Sequence, residues 1–284
     1  MADRHSHADE PQLVKDPELV ARIESENSLR QFDAAMEELE LWLADDRYKL
    51  RPSLIYKLHR ILLEGLSQYA GVPRTTKVRI RGSGHVPPEA SQVPALVEEL
   101  CDYVNEHWSE RSAVHLAAYV LWRMNWIHPF VDGNGRTARI ISYLVLCAHS
   151  KNSLPGPLTI PEQISKNKQP YYRALESADQ AYLKGHLDIS MLEELISAHL
   201  ANQLLDFYEK AAGLNGTELD EGTRAELSKV LEEARRERGE DRQAVYAPYR
   251  SSERGILSWV ERHPVLVGLM GLIIVTILGI LFGR

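Results

Sequence analysis

Residues 128–139 read HPFVDGNGRTAR and follow directly on HLAAYVLWRMNWI, a strongly apolar segment at residues 115–127. Proline cannot continue a helix and biases the preceding residue away from the α region, so this helix is expected to end at His128. A second apolar segment with helical spacing begins near Arg136. The stretch therefore predicts a tight loop between two core helices.

The turn inside this loop has the features of an anion site. Gly133 and Gly135 flank Asn134 and allow a tight turn whose backbone amides point outward just before a helix begins. Free N–H groups and the helix dipole both favour negative charge at such a position. Arg136 and Arg139 are three residues apart, so they lie on one face of the following helix. The loop is therefore predicted to bind a polyphosphate.

Two further residues add chemistry to this loop. Asp132 would repel a bare phosphate, but it fits where a divalent cation bridges carboxylate and phosphate. His128 is a titratable group suited to accept a proton from a hydroxyl nucleophile. Each feature taken singly has a simpler explanation, because Asp-Gly and Asn-Gly are common turn formers. Their concentration in one short loop favours a functional site.

Most of the chain shows helical patterning. From about Pro17 to Tyr208, apolar residues recur at intervals of three and four. The exception is TTKVRIRGSGHVPPEA at residues 75–90, where Val78 and Ile80 alternate with basic residues before a Gly-Ser-Gly break. This alternation predicts a short strand or hairpin, which is either incidental or a flap over a site. The predicted fold class is all-α with a short β-hairpin.

Composition narrows the functional classes. The chain has 284 residues and a formal net charge of −7, which argues against nucleic-acid binding through a broad basic surface. Cys101 and Cys147 are far apart among apolar residues and form neither a metal-binding spacing nor a disulfide framework. A reduced compartment is therefore expected.

The C-terminal residues predict a membrane anchor. Residues 265–282 are uncharged, and at 1.5 Å per residue they span about 27 Å, close to the ~30 Å hydrocarbon thickness of a bilayer. Arg250, Arg254 and Arg262 precede this segment and Arg284 alone follows it. That bias favours a single-pass anchor with the body of the protein on the cytoplasmic side.

The loop resembles the motif of a known family. Residues 128–139 fill every specified position of HxFx[DE]GNGRxxR, the motif of the Fic (filamentation induced by cAMP) family. The resemblance extends over about residues 50–205. VRIRGSGHVPP followed by VPALVEEL is similar to the family's flap hairpin and the helix after it. QPYYRALESAD is similar to the segment that lines the adenosine pocket. The resemblance implies a Fic-type helical domain with a short β-hairpin flap.

This resemblance implies a protein adenylyltransferase, which transfers AMP from ATP to a hydroxyl side chain of a target protein with Mg²⁺. Glycine at 135 favours this reaction, because a lysine there marks relatives that transfer phosphate. In the motif, the resemblance implies that His128 is the general base and that Asp132 is the Mg²⁺ ligand. It also implies an anion hole made of Gly133, Asn134 and Gly135. The implied nucleotide-binding residues are Arg136, Thr137 and Arg139. Outside it, the implied flap residues are Gly82, Ser83, Gly84 and His85, and those near the adenine and ribose are Tyr171, Tyr172 and Asp179.

An inhibitory helix is a further expectation from the family. Many Fic proteins carry [ST]xxxE[GN], whose glutamate pairs with the second motif arginine and blocks the γ-phosphate site. The candidate here is VARIESEN at residues 20–27, which keeps the pattern only in part, whether aligned on Glu24 or on Glu26. Two hypotheses remain open: autoinhibition through Arg139, or an exposed glutamate on a helix.

The predicted organisation has four parts. They are an N-terminal tail and helical extension at residues 1–49, a Fic domain at 50–210, a charged linker with a helix at 211–262, and the transmembrane anchor at 263–284. The expected partners are ATP, an unidentified protein target and a membrane, without nucleic acid; a homodimer is left open. Two alternative functions are AMP removal, in which a helix glutamate would activate water, and a membrane-tethered nucleotide-binding module without turnover.

Overall fold

Two helices form the centre of the fold. In a computed structural model, which describes residues 6–7, 13–45 and 47–211, helix α4 (Ala113–Ile127) and helix α5 (Asn134–His149) pack side by side. Both are apolar on most of their surface, and a helix of this kind must be covered by other elements. The remaining helices provide that cover, so the loop between α4 and α5 emerges from the middle of the domain.

The other helices surround this pair. In chain order they are α1 (Pro17–Ala44), α2 (Pro52–Leu63), α3 (Val93–Glu106), α6 (Ile160–Lys166), α7 (Lys168–Leu183) and α8 (Ser190–Ala211). Their N-termini carry the expected signals: proline in the first turn of α1, α2 and α3, and side-chain caps from Asp16 in α1 and Asn167 in α7. The predicted predominance of helix is confirmed for the described residues.

Helix α1 is fixed to α2 by buried amide side chains. The Asn27 side chain donates to the carbonyls of Leu62 (3.2 Å) and Glu64 (2.8 Å), and the Gln31 side chain donates to the carbonyl of Leu58 (3.1 Å). The last carbonyls of a helix lack intrahelical partners, so the Asn27 amide completes the C-terminal end of α2, and Gln31 adds a contact one turn earlier. This contact sets the rotation of α1 and decides which of its residues face the site.

The predicted β-hairpin is wrong in its pairing. A short strand β2 (Arg79–Ile80) is present, but its antiparallel partner is β1 (Ser6–His7), with Ser6 opposite Ile80. Beyond β2 the chain turns at Gly82, which has a φ of 72°, and within the described residues it forms no second strand before the 3₁₀ turn at Ala90–Gln92. Two successive prolines at 87 and 88 lack the N–H groups that a returning strand needs.

The predicted linker and anchor lie outside the described residues, except for residue 211 at the end of α8. Among the helices of the described part, none is both long and apolar enough to cross a membrane. The membrane anchor, the cytoplasmic placement of the body and the four-part division stay predictions.

Candidate active site

His128 lies at the C-terminal end of α4 in a left-handed conformation. Its φ is 52°, and its N–H donates to the carbonyl of Met124 at 3.0 Å, which completes the helix. Only Gly and a few polar residues adopt this region without appreciable cost. The side chain is 6% exposed, and its Nδ1 lies 3.3 Å from the carbonyl oxygen of Asn125. The end of the helix therefore directs the imidazole into the domain.

The loop is closed by the Asn134 side chain. Its Nδ2 donates to the carbonyl of Phe130 at 2.8 Å, and its Oδ1 accepts from the N–H of Phe130 at 2.9 Å. Asn134, which is predicted to be part of the anion hole, therefore also fixes the conformation of the loop through its side chain. Thr137, predicted to bind nucleotide, is fully buried and not on the cavity wall, and its Oγ1 has no hydrogen-bond partner among the described residues. Its assignment to nucleotide binding stays a prediction.

His59, a residue that the sequence did not indicate, packs against the motif loop and supports it. The His59 ring on α2 stacks on Phe130, with centroids 3.5 Å apart and planes 5° apart. Its Nε2–H donates to the carbonyl of Asp132 at 2.9 Å, and its Nδ1 accepts from the N–H of Gly71 at 2.9 Å. A histidine in an apolar helix gives no signal in the sequence, because burial alone explains it.

Gly133 is required where His59 approaches the loop. Its φ is 75°, and a Cβ built there would lie 3.1 Å from Nε2 of His59 and 3.2 Å from Cδ2 of Leu62. We expect Gly133→Ala to lower the free energy of unfolding by about 1–2 kcal/mol, from backbone strain and crowding. At Gly135 a Cβ would meet Arg139 only at 3.5 Å, so Gly135→Ala is the matched control and should not destabilise. Urea unfolding of both variants measures the difference, and equal stability would contradict this account.

The predicted site residues converge on one cavity of about 360 Å³. From the prediction, its wall contains Ser83, His85, His128, Asp132, Gly133, Asn134, Gly135, Arg136, Arg139, Tyr171, Tyr172, Asp179 and Glu24. Gly82, Gly84, Thr137 and Glu26 are not among the lining residues. The prediction did not name the other wall residues, although two of them, Ile80 and Leu175, lie in the segments that resemble the flap and the adenosine pocket; the set is Ile80, Asn125, Trp126, Ser165, Lys168 and Leu175.

The cavity wall carries acidic and basic side chains that contact one another. Arg136 Nη1 donates to the Glu24 carboxylate at 2.8 Å, and Arg136 Nη2 donates to Asp132 Oδ2 at 3.1 Å. Glu26 points away from this group; its side chain is 64% exposed and lies 3.9 Å from Arg22. Of the two candidate glutamates, only Glu24 reaches the motif, and the structure records its contact with Arg136. The expected pairing with Arg139 stays a prediction.

The cavity wall also carries aromatic side chains and a few polar groups that hydrogen bonds hold in place. The Tyr171 hydroxyl accepts from Asn125 Nδ2 at 2.7 Å, and Asp179 Oδ1 accepts from Trp122 Nε1 at 2.9 Å. His85 Nε2 donates to the carbonyl of Trp126 at 2.7 Å, which fixes the ring against the wall. Apolar walls with a few convergent polar groups are typical of small-ligand sites.

Burial keeps both His128 and the loop-supporting His59 neutral. Burial lowers the pKa of His128 to about 4, and the nearby Arg74 and His85 act in the same direction. Burial also lowers the pKa of His59 to about 4, against the opposing effect of its bond to the Asp132 carbonyl. At neutral pH the His128 imidazole is therefore uncharged and able to accept a proton.

These lowered pKa values predict acid sensitivity. An unfolded histidine titrates near 6.5, so between pH 6.5 and about 4 the unfolded chain binds protons that folded His59 and His128 do not. The free energy of unfolding should therefore fall as pH falls through this window, by about 1 kcal/mol per pH unit for each histidine. Urea midpoints at pH 7 and pH 5 measure this, and His128→Ala should show the smaller change. Equal pH dependence in wild type and variant would contradict the assignment.

The acidic residues do not form a metal cage of their own. Within the described ranges, no group of three or more His, Cys, Asp or Glu side chains could hold a metal ion. Asp132 is a half-exposed carboxylate on the cavity wall. Mg²⁺ usually keeps several waters and is held by one or two carboxylates together with substrate phosphates, so Asp132 fits that mode of binding.

Comparison with known proteins agrees with this geometry. Residues 49–146 match the model of the Fic/DOC family. Curated proteins named Protein adenylyltransferase Fic from Drosophila persimilis and Drosophila grimshawi are 30% and 32% identical to this chain over 164 and 171 residues. Each alignment covers 57% of this chain, which spans only 30% and 32% of the length of those relatives.

A solved structure supports the fold. Fic-1 from C. elegans superimposes with a TM-score of 0.53 at 22% identity, over 68% of this chain and 53% of that one. At this identity the likeness concerns the fold alone. The resemblance inferred from the motif is confirmed, and the chain carries a domain of the Fic/DOC family, matched over residues 49–146.

Proposed function

We propose that this protein is an adenylyltransferase that transfers AMP from ATP to a hydroxyl side chain of a target protein. The observation that carries the proposal is the placement of a neutral, buried His128 on the wall of the same cavity as Arg136 and Arg139. A proton acceptor and two phosphate-binding cations beside an aromatic compartment match the requirements of nucleotidyl transfer. The relatives named adenylyltransferase agree with this chemistry.

In the proposed reaction, the target hydroxyl oxygen attacks the α-phosphorus of ATP. The bond from that phosphorus to the bridging oxygen of the leaving group breaks, pyrophosphate departs, and His128 takes the hydroxyl proton. The protein forms no covalent bond, so its contribution is alignment and charge neutralisation. The N-terminus of α5 begins at Asn134, and its free N–H groups favour phosphate oxygens.

Magnesium completes the proposed site. Asp132 would hold Mg²⁺ together with the ATP phosphates, and the ion would neutralise phosphate charge during transfer. Asp132 Oδ2 contacts Arg136 at 3.1 Å, so Mg²⁺ binding at that oxygen would compete with the ion pair. The Asp132 side chain is 50% exposed and that of Arg136 is 27% exposed, so solvent screens the pair and it opposes Mg²⁺ binding only slightly.

The residues on the cavity wall suggest which parts of the protein would contact each part of the nucleotide. Tyr171, Tyr172 and Asp179 would surround the adenine and ribose, and Ser83 and His85 of the flap would cover the nucleotide and meet the target. The predicted anchor would confine the enzyme to targets at a membrane surface, where tethering raises their effective concentration.

Labelled nucleotide tests the reaction class. The full chain would be incubated with Mg²⁺ and ATP labelled on either the α- or the γ-phosphate, and protein-bound label would be measured with and without a chelator. AMP transfer predicts label from the α-phosphate alone, released pyrophosphate, and loss of both with the chelator. Label from the γ-phosphate would indicate phosphate transfer instead. No label on protein together with tight ATP binding would favour the nucleotide-binding module.

AMP removal is a second candidate because Glu24 lies on the cavity wall. A carboxylate at this position would activate a water for attack on an AMP–protein bond. Protein labelled from α-labelled ATP would be transferred to unlabelled ATP, and release of labelled AMP followed. Release that depends on Glu24 would support removal, and stable label would exclude it.

A further inference from the structure

A buried arginine outside the motif contacts the backbone around the general base. The Arg74 side chain is 3% exposed, and its Nε donates to the carbonyl of His128 at 2.8 Å. Its Nη2 lies 3.3 Å from the carbonyl oxygen of Ile127, and its own backbone N–H donates to the carbonyl of Pro129 at 2.8 Å. One residue therefore binds three successive carbonyls at the end of α4.

The same guanidinium binds the base of the flap. Nη1 of Arg74 donates to the carbonyl of Thr76 at 3.0 Å, and Nη2 donates to the carbonyl of Pro88 at 2.6 Å. These two carbonyls lie at the start and the end of the segment that contains the flap residues Ser83 and His85. Both ends of the flap segment are therefore hydrogen-bonded to the same side chain that binds the backbone carbonyl of His128.

Electrostatics favours this arrangement. The carbonyls at the C-terminus of α4 carry the negative end of the helix dipole and lack intrahelical partners. A guanidinium presents five N–H donors in a fixed plane, so it can serve carbonyls in several directions at once. Burial lowers the pKa of Arg74, but an arginine remains charged at any working pH. The charge is stabilised by carbonyl oxygens at both the helix end and the flap.

We propose that Arg74 is a positioning residue for AMP transfer, holding the left-handed backbone of His128 and both ends of flap segment 76–88 in one unit. The inference rests on the proposed function, since it assigns Arg74 to the geometry of that reaction. Arg74 has no place in the motif and is not among the residues of the cavity wall. It acts through the residues that it holds.

Replacing Arg74 with lysine distinguishes a positioning role of the guanidinium from a role of its positive charge alone. Arg74→Lys keeps the positive charge but replaces a planar fork with three donors on one atom, which cannot reach carbonyls on both the helix end and the flap. The matched control is Asn105→Ala, which removes two side-chain hydrogen bonds to the backbone of Leu50, both 2.9 Å long, at a position off the cavity wall.

The experiment uses the full chain in four forms: wild type, Arg74→Lys, Asn105→Ala and His128→Ala. The Kd for ATP with Mg²⁺ is measured by calorimetry, and kcat by transfer of α-phosphate label. Hydrogen exchange is followed in peptides that cover residues 76–88 and 125–135. We expect Arg74→Lys to lower kcat at least about tenfold, with Kd changed less than about threefold and with faster exchange in both peptides. Asn105→Ala should change none of the three.

Each outcome decides the proposal. An unchanged kcat in Arg74→Lys, or an equal loss of kcat in Asn105→Ala, would overturn it. If wild type shows no His128-dependent transfer, the proposed function fails, and hydrogen exchange still decides whether Arg74 holds the two segments. Faster exchange at both segments in Arg74→Lys alone would then support that role, and unchanged exchange would reject it.

Discussion

Replacing His128 with alanine should lower the rate of AMP transfer by about a thousandfold and leave the affinity for ATP nearly unchanged. A general base that takes a proton in the transition state contributes about 10²–10⁴-fold to the rate. The imidazole is 6% exposed and close to uncharged at neutral pH, since its pKa is lowered to about 4 by burial. Its removal therefore deletes the acceptor without changing the charge that binds the phosphates.

The measurement is a single-turnover rate with α-labelled ATP, alongside calorimetric ATP binding as the check on folding. His115→Ala is the matched control, because His115 is a partly buried histidine of α4 that bonds to Tyr103 and Glu193 and is not among the cavity wall residues. It should transfer AMP at the wild-type rate. A His128→Ala enzyme that keeps more than about a tenth of the wild-type rate would reject His128 as the general base.

The motif loop could be predicted because its determinants are local. Pro129 ends α4, and Gly133 supplies the positive φ before α5, so the turn between two helices follows from neighbouring residues. The convergence of the motif with Tyr171 and Asp179 followed from the family resemblance. Helical periodicity likewise indicated the elements that surround the site.

The supports of the loop could not be predicted because they depend on contacts between distant segments. His59 reaches the carbonyl of Asp132 across 73 positions, and nothing around it in α2 distinguishes it from a core residue. The partner of β2 is the N-terminal pair Ser6–His7 rather than the adjacent chain, and strand pairing over such a separation leaves no local pattern. Thr137 sits within the motif, yet the helix face that it occupies turns it into the core.

The choice between Glu24 and Glu26 also depends on tertiary structure. Residues three and four apart share a helix face, so Glu24, Asn27 and Gln31 point the same way, and Glu26 does not. The bonds of Asn27 and Gln31 to α2 therefore turn Glu24 toward the cavity. The partial inhibitory pattern could not decide which glutamate faces the cavity, because each of its two alignments lacks at least one residue that the pattern requires.

Replacing Glu24 with glycine should raise the initial rate of AMP transfer by up to about fivefold. The Glu24 carboxylate accepts from Arg136 at 2.8 Å, so it pairs with a cation proposed to bind phosphate and adds a negative charge to the cavity wall. The Glu24 side chain is 43% exposed, so its pair with Arg136 contributes about 0.2–1 kcal/mol, and 1 kcal/mol corresponds to a factor of about five. Releasing Arg136 should therefore favour the productive position of the ATP phosphates.

Glu26→Gly is the matched control because Glu26 lies on the same helix as Glu24. Glycine in a helix lowers the helix stability by about 1 kcal/mol in either variant. The Glu26 carboxylate faces outward near Arg22, so the rate should not change. Pyrophosphate release is the decisive readout, since it counts forward transfer even if AMP is later removed. More label on protein with unchanged pyrophosphate release would assign Glu24 to AMP removal. Equal acceleration in both variants would mean that loosening α1, rather than releasing Arg136, activates the enzyme.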